Sequence, residues 1–379
     1  MIFFIFFAFG IFLFATWSSF FGLSYLLKGK FNFEKSFSIS LKVIFVVILV
    51  KAINELLNIE ILLDINRSII DAFGIIFLIF PFLYFVFLLY ILLFVFSKIL
   101  KFDIQKILSI SRKSIGITIV LLSAFIWIYG LYNFTKVNIK EIVISTPKIT
   151  KEVNILHLTD LQYGSVSKRH LRRVKKTINQ LFENENIDFI VNTGDHIDTN
   201  NYNINDLKEF DNFEVESFFS LGNHEFYHDY DKSLRLIKNS NYTLLNSKTI
   251  TKNSIDITGI PDTRNISTFN RKLSQISINS DKFNILLFHR PSFLDSVKNK
   301  GFDLMLSGHV HGGQVFPYTL VAKLIFPYSS RLYDYKNLLA YNSSGAGLWG
   351  PNVRFASQNE ITHIKIIPSK IKDQKSNIY

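Results

Sequence analysis

Seven short pieces of the second half of this chain put oxygen and nitrogen donors at the ends of apolar runs. They are TDLQ (159–162), GDHID (194–198), GNHE (222–225), GIPD (259–262), FHRP (288–291), GHVHGGQ (308–314) and SSGAGLWGPNVRF (343–355). Carboxylate, imidazole and amide side chains in this mixture suit divalent cations. Two such ions held about 3.5–4 Å apart clamp the attacking and leaving oxygens of a phosphoryl transfer and make hydroxide available near neutral pH. The pair needs a bridging carboxylate. Asp195 is the candidate, because Gly194 lets the backbone turn tightly at a strand end and aim the side chain. Asp160 offers a second oxygen ligand from a neighbouring strand. His309 and His311 are two residues apart, so on an extended segment they point to one side and can serve adjacent ions. Gly308, Gly312 and Gly313 leave room for that approach.

A lone histidine is ordinarily a hydrogen-bonded core or surface residue, and that reading suits His157, His170, His228 and His363. For His224, His289, His309 and His311 it would require four separate strand-end histidines to be accidental.

The elements that must position these groups are legible as apolar runs ending in a polar side chain: VNILHLTD (153–160), IDFIVNTGD (187–195), EVESFFSLGN (214–223), FNILLFH (283–289) and FDLMLSGH (302–309). EIVIST (141–146) reads as a further strand. Leu171, Val174, Ile178, Leu181 and Phe182 recur at helical spacing. Strands buried on both faces, with polar C-terminal ends and helices between, describe an α/β sheet whose site lies along one edge. The outer face of the 171–182 helix carries Lys168, Arg169, Arg172, Arg173, Lys175 and Lys176, a solvated face or a contact for anionic headgroups.

The first third has a different character. Residues 2–27, 72–96 and 114–135 carry no charged side chain, and each run exceeds the roughly 20 residues that cross a bilayer core. A fourth span is expected over 39–57, where Lys51 has Glu55 as its i+4 partner. The expected organisation is a transmembrane region over 1–136 with four helices (2–27, 39–57, 72–96, 114–135), a catalytic domain over 149–367 and a polar tail over 368–379. Basic loops after the first and third spans place both termini outside the cytoplasmic face by the positive-inside rule. The expected location is therefore the plasma membrane, with the domain extracytoplasmic. Residues 149–379 carry 28 Lys and Arg against 23 Asp and Glu. Their aromatics are not regularly interleaved with Arg and Lys, so nucleic acid is not an expected partner. The chain has no cysteine, which excludes disulfides and thiolate metal sites.

Asp160 with GDHID, GNHE, FHRP and GHVHGGQ resembles the calcineurin-like metallophosphoesterase superfamily, and GHVHGGQ with SSGAGLWGPNVRF and NEI (359–361) is most similar to its bacterial membrane-associated branch. The likeness covers roughly residues 150–367. It implies a four-layer αββα fold and two divalent ions, Mn, Fe or Zn. It implies that Asp195 bridges them, that Asp160 and His311 complete the first site, and that Asn223, His289 and His309 complete the second. His224 would then stabilise the phosphoryl oxygens or protonate the leaving group. Asp198 would orient a ligand imidazole or stand as a solvated loop acid. Arg354 would form an internal ion pair or meet a substrate phosphate.

One position departs from the pattern. Gln162 stands where this superfamily has a histidine two residues after the first aspartate. A glutamine offers only a neutral carbonyl oxygen, more tolerable to Mn or Mg than to Zn or Fe. It ligates through that oxygen, or leaves the first ion loosely held with water, or leaves the first site empty. The expected function is a membrane-anchored phosphoesterase in which a metal-bound hydroxide attacks a phosphodiester or pyrophosphate. The substrate would be a phosphorylated small molecule or, with membrane lipids as neighbours, a lipid-linked or cell-envelope compound. The alternative is a non-catalytic sensor or scaffold with a degenerate first metal site.

Overall fold

The computed structural model describes residues 34–35, 37–39, 41–42, 104–198, 207–208, 210–227, 229–316, 318–326, 328–348 and 350–369. The chain divides into two compact units, 1–131 and 132–379. The expected spans 2–27 and 72–96, and all but the first residues of 39–57, lie outside the described residues. The fourth, 114–135, falls on helix α1 (Ile104–Phe134), whose basic residues, Lys106, Arg112 and Lys113, are all in its first third. Counting the described residues alone, no helix is long and apolar enough to cross a membrane.

The second unit is built on two six-stranded sheets. One has the order β1-β12-β2-β3-β4-β5, formed by Val137–Thr146, Asn359–Pro368, Val153–Leu158, Phe189–Asn192, Ser217–Phe219 and Tyr242–Leu244. The other has the order β10-β11-β9-β8-β7-β6, formed by Leu332–Tyr335, Leu338–Asn342, Leu304–Ser307, Phe283–Leu287, Ile255–Gly259 and Lys248–Lys252. Strands β2, β3, β4 and β5 run parallel, as do β7, β8, β9 and β11. Alternate residues of both sheets meet in one core: Ile144, Ile155, Val191 and Ile364 pack with Ile257, Ile285, Leu287 and Leu306.

The outer faces are covered by helices. On the first sheet, Leu171, Val174 and Ile178 of α2 (Lys168–Asn184) pack with Leu156, Ile190 and Phe219, joined by Leu236 and Ile237. The short helix α3 (His224–Tyr227) and then α4 (Tyr230–Asn239), which carries Leu236 and Ile237, follow β4 on this side. On the second sheet, Phe269 and Leu273 of α5 (Ile266–Ser274) and Val297 of α6 (Leu294–Lys300) pack with Leu286, Phe288 and Met305. Helix, sheet, sheet, helix is the four-layer order expected. Helix α7 (Tyr318–Ile325) follows a 3-10 turn at His311–Gly313.

Because the parallel strands share one direction, their C-terminal ends share one edge. The polar groups after β2, β3 and β4 therefore come to the groups after β8 and β9.

Candidate functional site

The turns after β2 and β3 are zipped together by backbone bonds: Asp160 N to Gly194 O at 2.9 Å, Gln162 N to Asp195 O at 3.0 Å and Tyr163 N to His196 O at 2.8 Å. The joint holds Asp160, Gln162 and Asp195 at positive φ, 53°, 55° and 52°, a conformation costing roughly 1–3 kcal/mol for each side-chain-bearing residue. Two glycines permit the approach. A Cβ on Gly194 would lie 2.1 Å from Gly222 N, and one on Gly308 would lie 2.1 Å from Asp160 Oδ2.

Asp195 sits at the centre, 1% exposed. Its Oδ1 accepts from His224 N at 2.8 Å, and its Oδ2 lies 2.9 Å from His289 Nε2. The His289 Nδ1–H donates to Thr193 O at 2.9 Å, which turns Nε2 towards the carboxylates. Burial disfavours charge on this ring. Asp195, Asp160 and Asp262 nevertheless hold its proton up to about 10, and a bound cation would displace that proton. The ligand atoms of Asp195, His289 and His309 lie within 4.8 Å of one another. Burial, with the charges of His289 and Arg290, pushes His309 down to about 2, so its imidazole is neutral.

On the other side of Asp195, His311 Nε2 lies 3.5 Å from Asp160 Oδ1. Gln162 is fully buried, and its Nε2 is 3.4 Å from Asp195 Oδ2. Its Oε1 has no hydrogen-bond partner, and neither do Asn223 Oδ1 and His311 Nδ1. A buried acceptor without a donor is costly, so the unpartnered Gln162 Oε1, on an amide that lies against the Asp195 carboxylate, fits a cation there. A half-turn of the Gln162 amide presents Oε1 where Nε2 now sits.

Thus Asp160, Gln162, Asp195, His289, His309 and His311 meet at one edge, with Asn223 one residue before the His224 amide on Asp195. His309 and His311 are not on an extended segment. Gly308 N is held by His289 O, and His309 N donates to Asp160 Oδ2 at 3.0 Å. Positive φ at both histidines bends the chain into the 3-10 turn. The bend puts His309 beside His289 and His311 beside Asp160.

Residues 153–313 match the family model for calcineurin-like phosphoesterase. An uncharacterised metallophosphoesterase of Campylobacter jejuni is 32% identical over 68% of this chain and 71% of its own length. The chain belongs to the calcineurin-like phosphoesterase family. An uncharacterised metallophosphoesterase of Helicobacter pylori is likewise 32% identical, over 71% of this chain and 76% of its own. A zebrafish (Danio rerio) transmembrane protein with metallophosphoesterase domain is 26% identical over 65% of this chain and 61% of its own. Like other calcineurin-like phosphoesterases, this one is a metal-dependent phosphoester hydrolase.

Asp198 orients an imidazole that is no member of the donor cluster: its Oδ1 is 2.5 Å from His224 Nδ1, and Ser165 Oγ donates to its other oxygen. His224 Nε2 is left 3.8 Å from Asp195 Oδ2. Arg354 neither pairs with a carboxylate nor faces a substrate. It is fully buried and donates to the carbonyls of His311 (2.8 Å), Ser344 (2.7 Å) and Gly347 (2.5 Å), and to Asn359 Oδ1 (2.8 Å). Three backbone carbonyls and the Asn359 amide oxygen turned inward at one place need a donor with several N–H groups spread in a plane, and the guanidinium supplies five in a fixed fork. Arg354→Met should therefore destabilise the fold by about 3 kcal/mol, read by denaturant unfolding of the full chain in detergent. An unchanged midpoint would show that water replaces the guanidinium.

Two site residues were not singled out in the sequence. Glu225 caps the Asp195 turn, its Oε1 accepting from the amides of His196 and Ile197 and its Oε2 from Gly222 and Asp195, at 2.7–3.1 Å. The signal was the E of GNHE, an acid inside an apolar neighbourhood. Arg290 donates from Nε to Asp262 Oδ2 at 2.9 Å and from Nη1 to His309 Nε2 at 2.7 Å. Its signal was the R of FHRP beside a donor histidine.

The remaining histidines behave as core residues. His157 bonds Thr193 Oγ1, His196 bonds Asp211, His170 stacks on Phe134 and bonds Ala346 O, and His363 bonds Asn154. His228 lies outside the described residues.

Proposed function

We propose that this chain is a membrane-anchored phosphoesterase acting on a phosphodiester or pyrophosphate of a lipid-linked or cell-envelope substrate, with its domain on the extracytoplasmic side. The observation that carries the hydrolytic part is the Asp198–His224 pair, aimed at the edge of the Asp195 cluster without belonging to it. Asp195, Asp160, Gln162 and His311 would hold one divalent ion, and Asp195, Asn223, His289 and His309 a second. Bound there, the ions supply Lewis acidity and a nucleophilic water.

The chain's own groups do the rest. His224 gives a proton from Nε2 to the leaving oxygen, while Asp198 keeps its Nδ1 engaged. Arg290, fixed by Asp262, meets a phosphoryl oxygen with a planar donor face. Membrane anchoring is supported by the three charge-free runs and by exposed Ile117, Leu121, Leu122, Phe125 and Ile128 on α1. It is also supported by the zebrafish relative, which is named as a transmembrane protein. A tethered hydrolase gains most when its substrate shares the membrane.

The test is metal analysis of the purified full chain with a screen of an activated aryl phosphodiester and lipid diphosphates. Close to two transition ions per chain and turnover are expected. No turnover across Mn, Fe, Zn, Mg and Co would overturn the reading. Within it, Gln162→His should tighten the weaker ion roughly tenfold, because imidazole is the better donor to a transition metal. Metal titration reads this, and an unchanged isotherm would show that the side chain at 162 is not a ligand.

A further inference from the structure

Helix α7 has its amphipathicity reversed. Its small residues, Thr319 and Ala322, are buried, while Leu320, Val321, Leu324 and Ile325 are exposed, Leu324 at 81%. At 100° per residue these four lie within one 140° arc, a continuous apolar face turned away from the protein. Phe316-Pro317 and Phe326-Pro327 bracket the helix in the sequence, and Lys323 is exposed on the helix at the flank of that face. A soluble domain rarely presents such a patch without something to cover it.

The position of α7 says what that is. The helix packs on the turn that carries His311: a Cβ on Gly313 would lie 2.5 Å from Thr319 Cα. Just before α7, Phe316 N donates to Phe355 O, and Ser357 Oγ donates to Gln314 O. The same 354–357 segment is held by Asn133, whose Nδ2 donates to Arg354 O at 3.3 Å and Ser357 O at 3.0 Å. Asn133 stands at the end of the charge-free run 114–135. One segment of the domain therefore ties together the point where the apolar run enters and the point where the outward apolar helix begins.

We propose that α7 lies in the headgroup–acyl boundary of the bilayer, with Leu320, Val321, Leu324 and Ile325 among the acyl chains and Lys323 among lipid phosphates. A domain seated in this way presents the His311 side of its site to the membrane surface, which is where a lipid-linked phosphate would be. The inference rests on the anchoring part of the proposed function and extends it from the tether to the catalytic domain.

The chain has no cysteine, so Leu324→Cys creates a single labelling position. The full chain carrying a nitroxide there is placed in nanodiscs of phosphatidylethanolamine and phosphatidylglycerol, and relaxation by oxygen is compared with relaxation by a water-soluble nickel chelate. Leu89→Cys, in the run 72–96, reports the bilayer, and Asp281→Cys, at an exposed loop, reports water. The nickel-to-oxygen accessibility ratio at 324 is expected about tenfold below that at 281 and close to that at 89. A ratio at 324 like that at 281, with 89 lipid-shielded, would overturn the docking of α7 and leave the anchor standing. Water access at 89 and 324 alike would overturn both. Shielding of 324 from both reagents would mean that protein covers the face, either another segment of this chain or a second copy, and would also overturn the inference. No arm depends on catalysis, so loss of the hydrolytic reading would not imitate any of these results.

Discussion

Asp195→Asn is expected to lower hydrolysis of an activated aryl phosphodiester by roughly 10³-fold or more, because the shared anionic ligand is the term on which both ions depend. The substitution is close to isosteric. The amide oxygen it introduces can still accept from His224 N, and the Glu225 carboxylate still caps the turn through the backbone amides of residues 195–197. What changes is charge. In the metal-free chain Asp195 is a main reason that His289 keeps a proton against the pull of burial. With an amide in its place that support is lost, and Asp160 and Asp262 are the carboxylates left to favour the charged ring.

The folded variant should accordingly survive while its metal does not. The parent's melting temperature is expected to rise with added Mn or Zn, as for any ligand that binds only the native state. The variant should lose most of that rise and hold less than one ion per chain. Activity above a tenth of the parent's, or an unchanged metal-dependent rise in melting temperature, would show that Asp195 is not the shared ligand.

The sequence carried the edge on which this site stands. The strands after which Asp160, Asp195, His289 and His309 fall were legible because each is a short β-rich run buried on both faces and stopped by a polar residue. Helix α2 was legible because its apolar positions recur at 3.6-residue spacing. The bend at 309–313 was not. A His-x-His pair reads as extended unless the positive φ of both histidines is known, and that conformation is imposed from outside by Asp160 and His289. The duties of Glu225 and Arg354 were equally hidden, since both bind backbone groups, and the sequence does not reveal which amides and carbonyls turn inward. Gln162 is an intermediate case. Its type announced a departure from the superfamily pattern, but only its burial beside Asp195 with an unpartnered Oε1 shows that it still faces the cluster.

His224→Ala should cost 10²–10⁴-fold in turnover of an alkyl phosphodiester, the range for a positioned general acid, and much less with p-nitrophenolate as leaving group. The dependence on leaving group separates proton donation from simple binding, because an alkoxide needs a proton to depart and a nitrophenolate does not. Equal losses on both substrates would overturn the assignment. The pH dependence adds a second reading. Burial works to lower the His224 pKa, but the Asp198 hydrogen bond and the charge of Asp195 outweigh it and leave the value above 6.5. The acid form therefore persists above the ordinary histidine range, and turnover falls as pH rises through the folded value. Asp198→Asn takes away the largest raising contribution, so the alkaline limb should move to lower pH while metal content stays at the parent level. The linkage to folding has the same sign. The stabilisation from a protonated His224 is fully present below the unfolded value of about 6.5 and is lost as pH climbs through the raised native one. A limb that stays in place in Asp198→Asn would mean that the titrating acid is some other group.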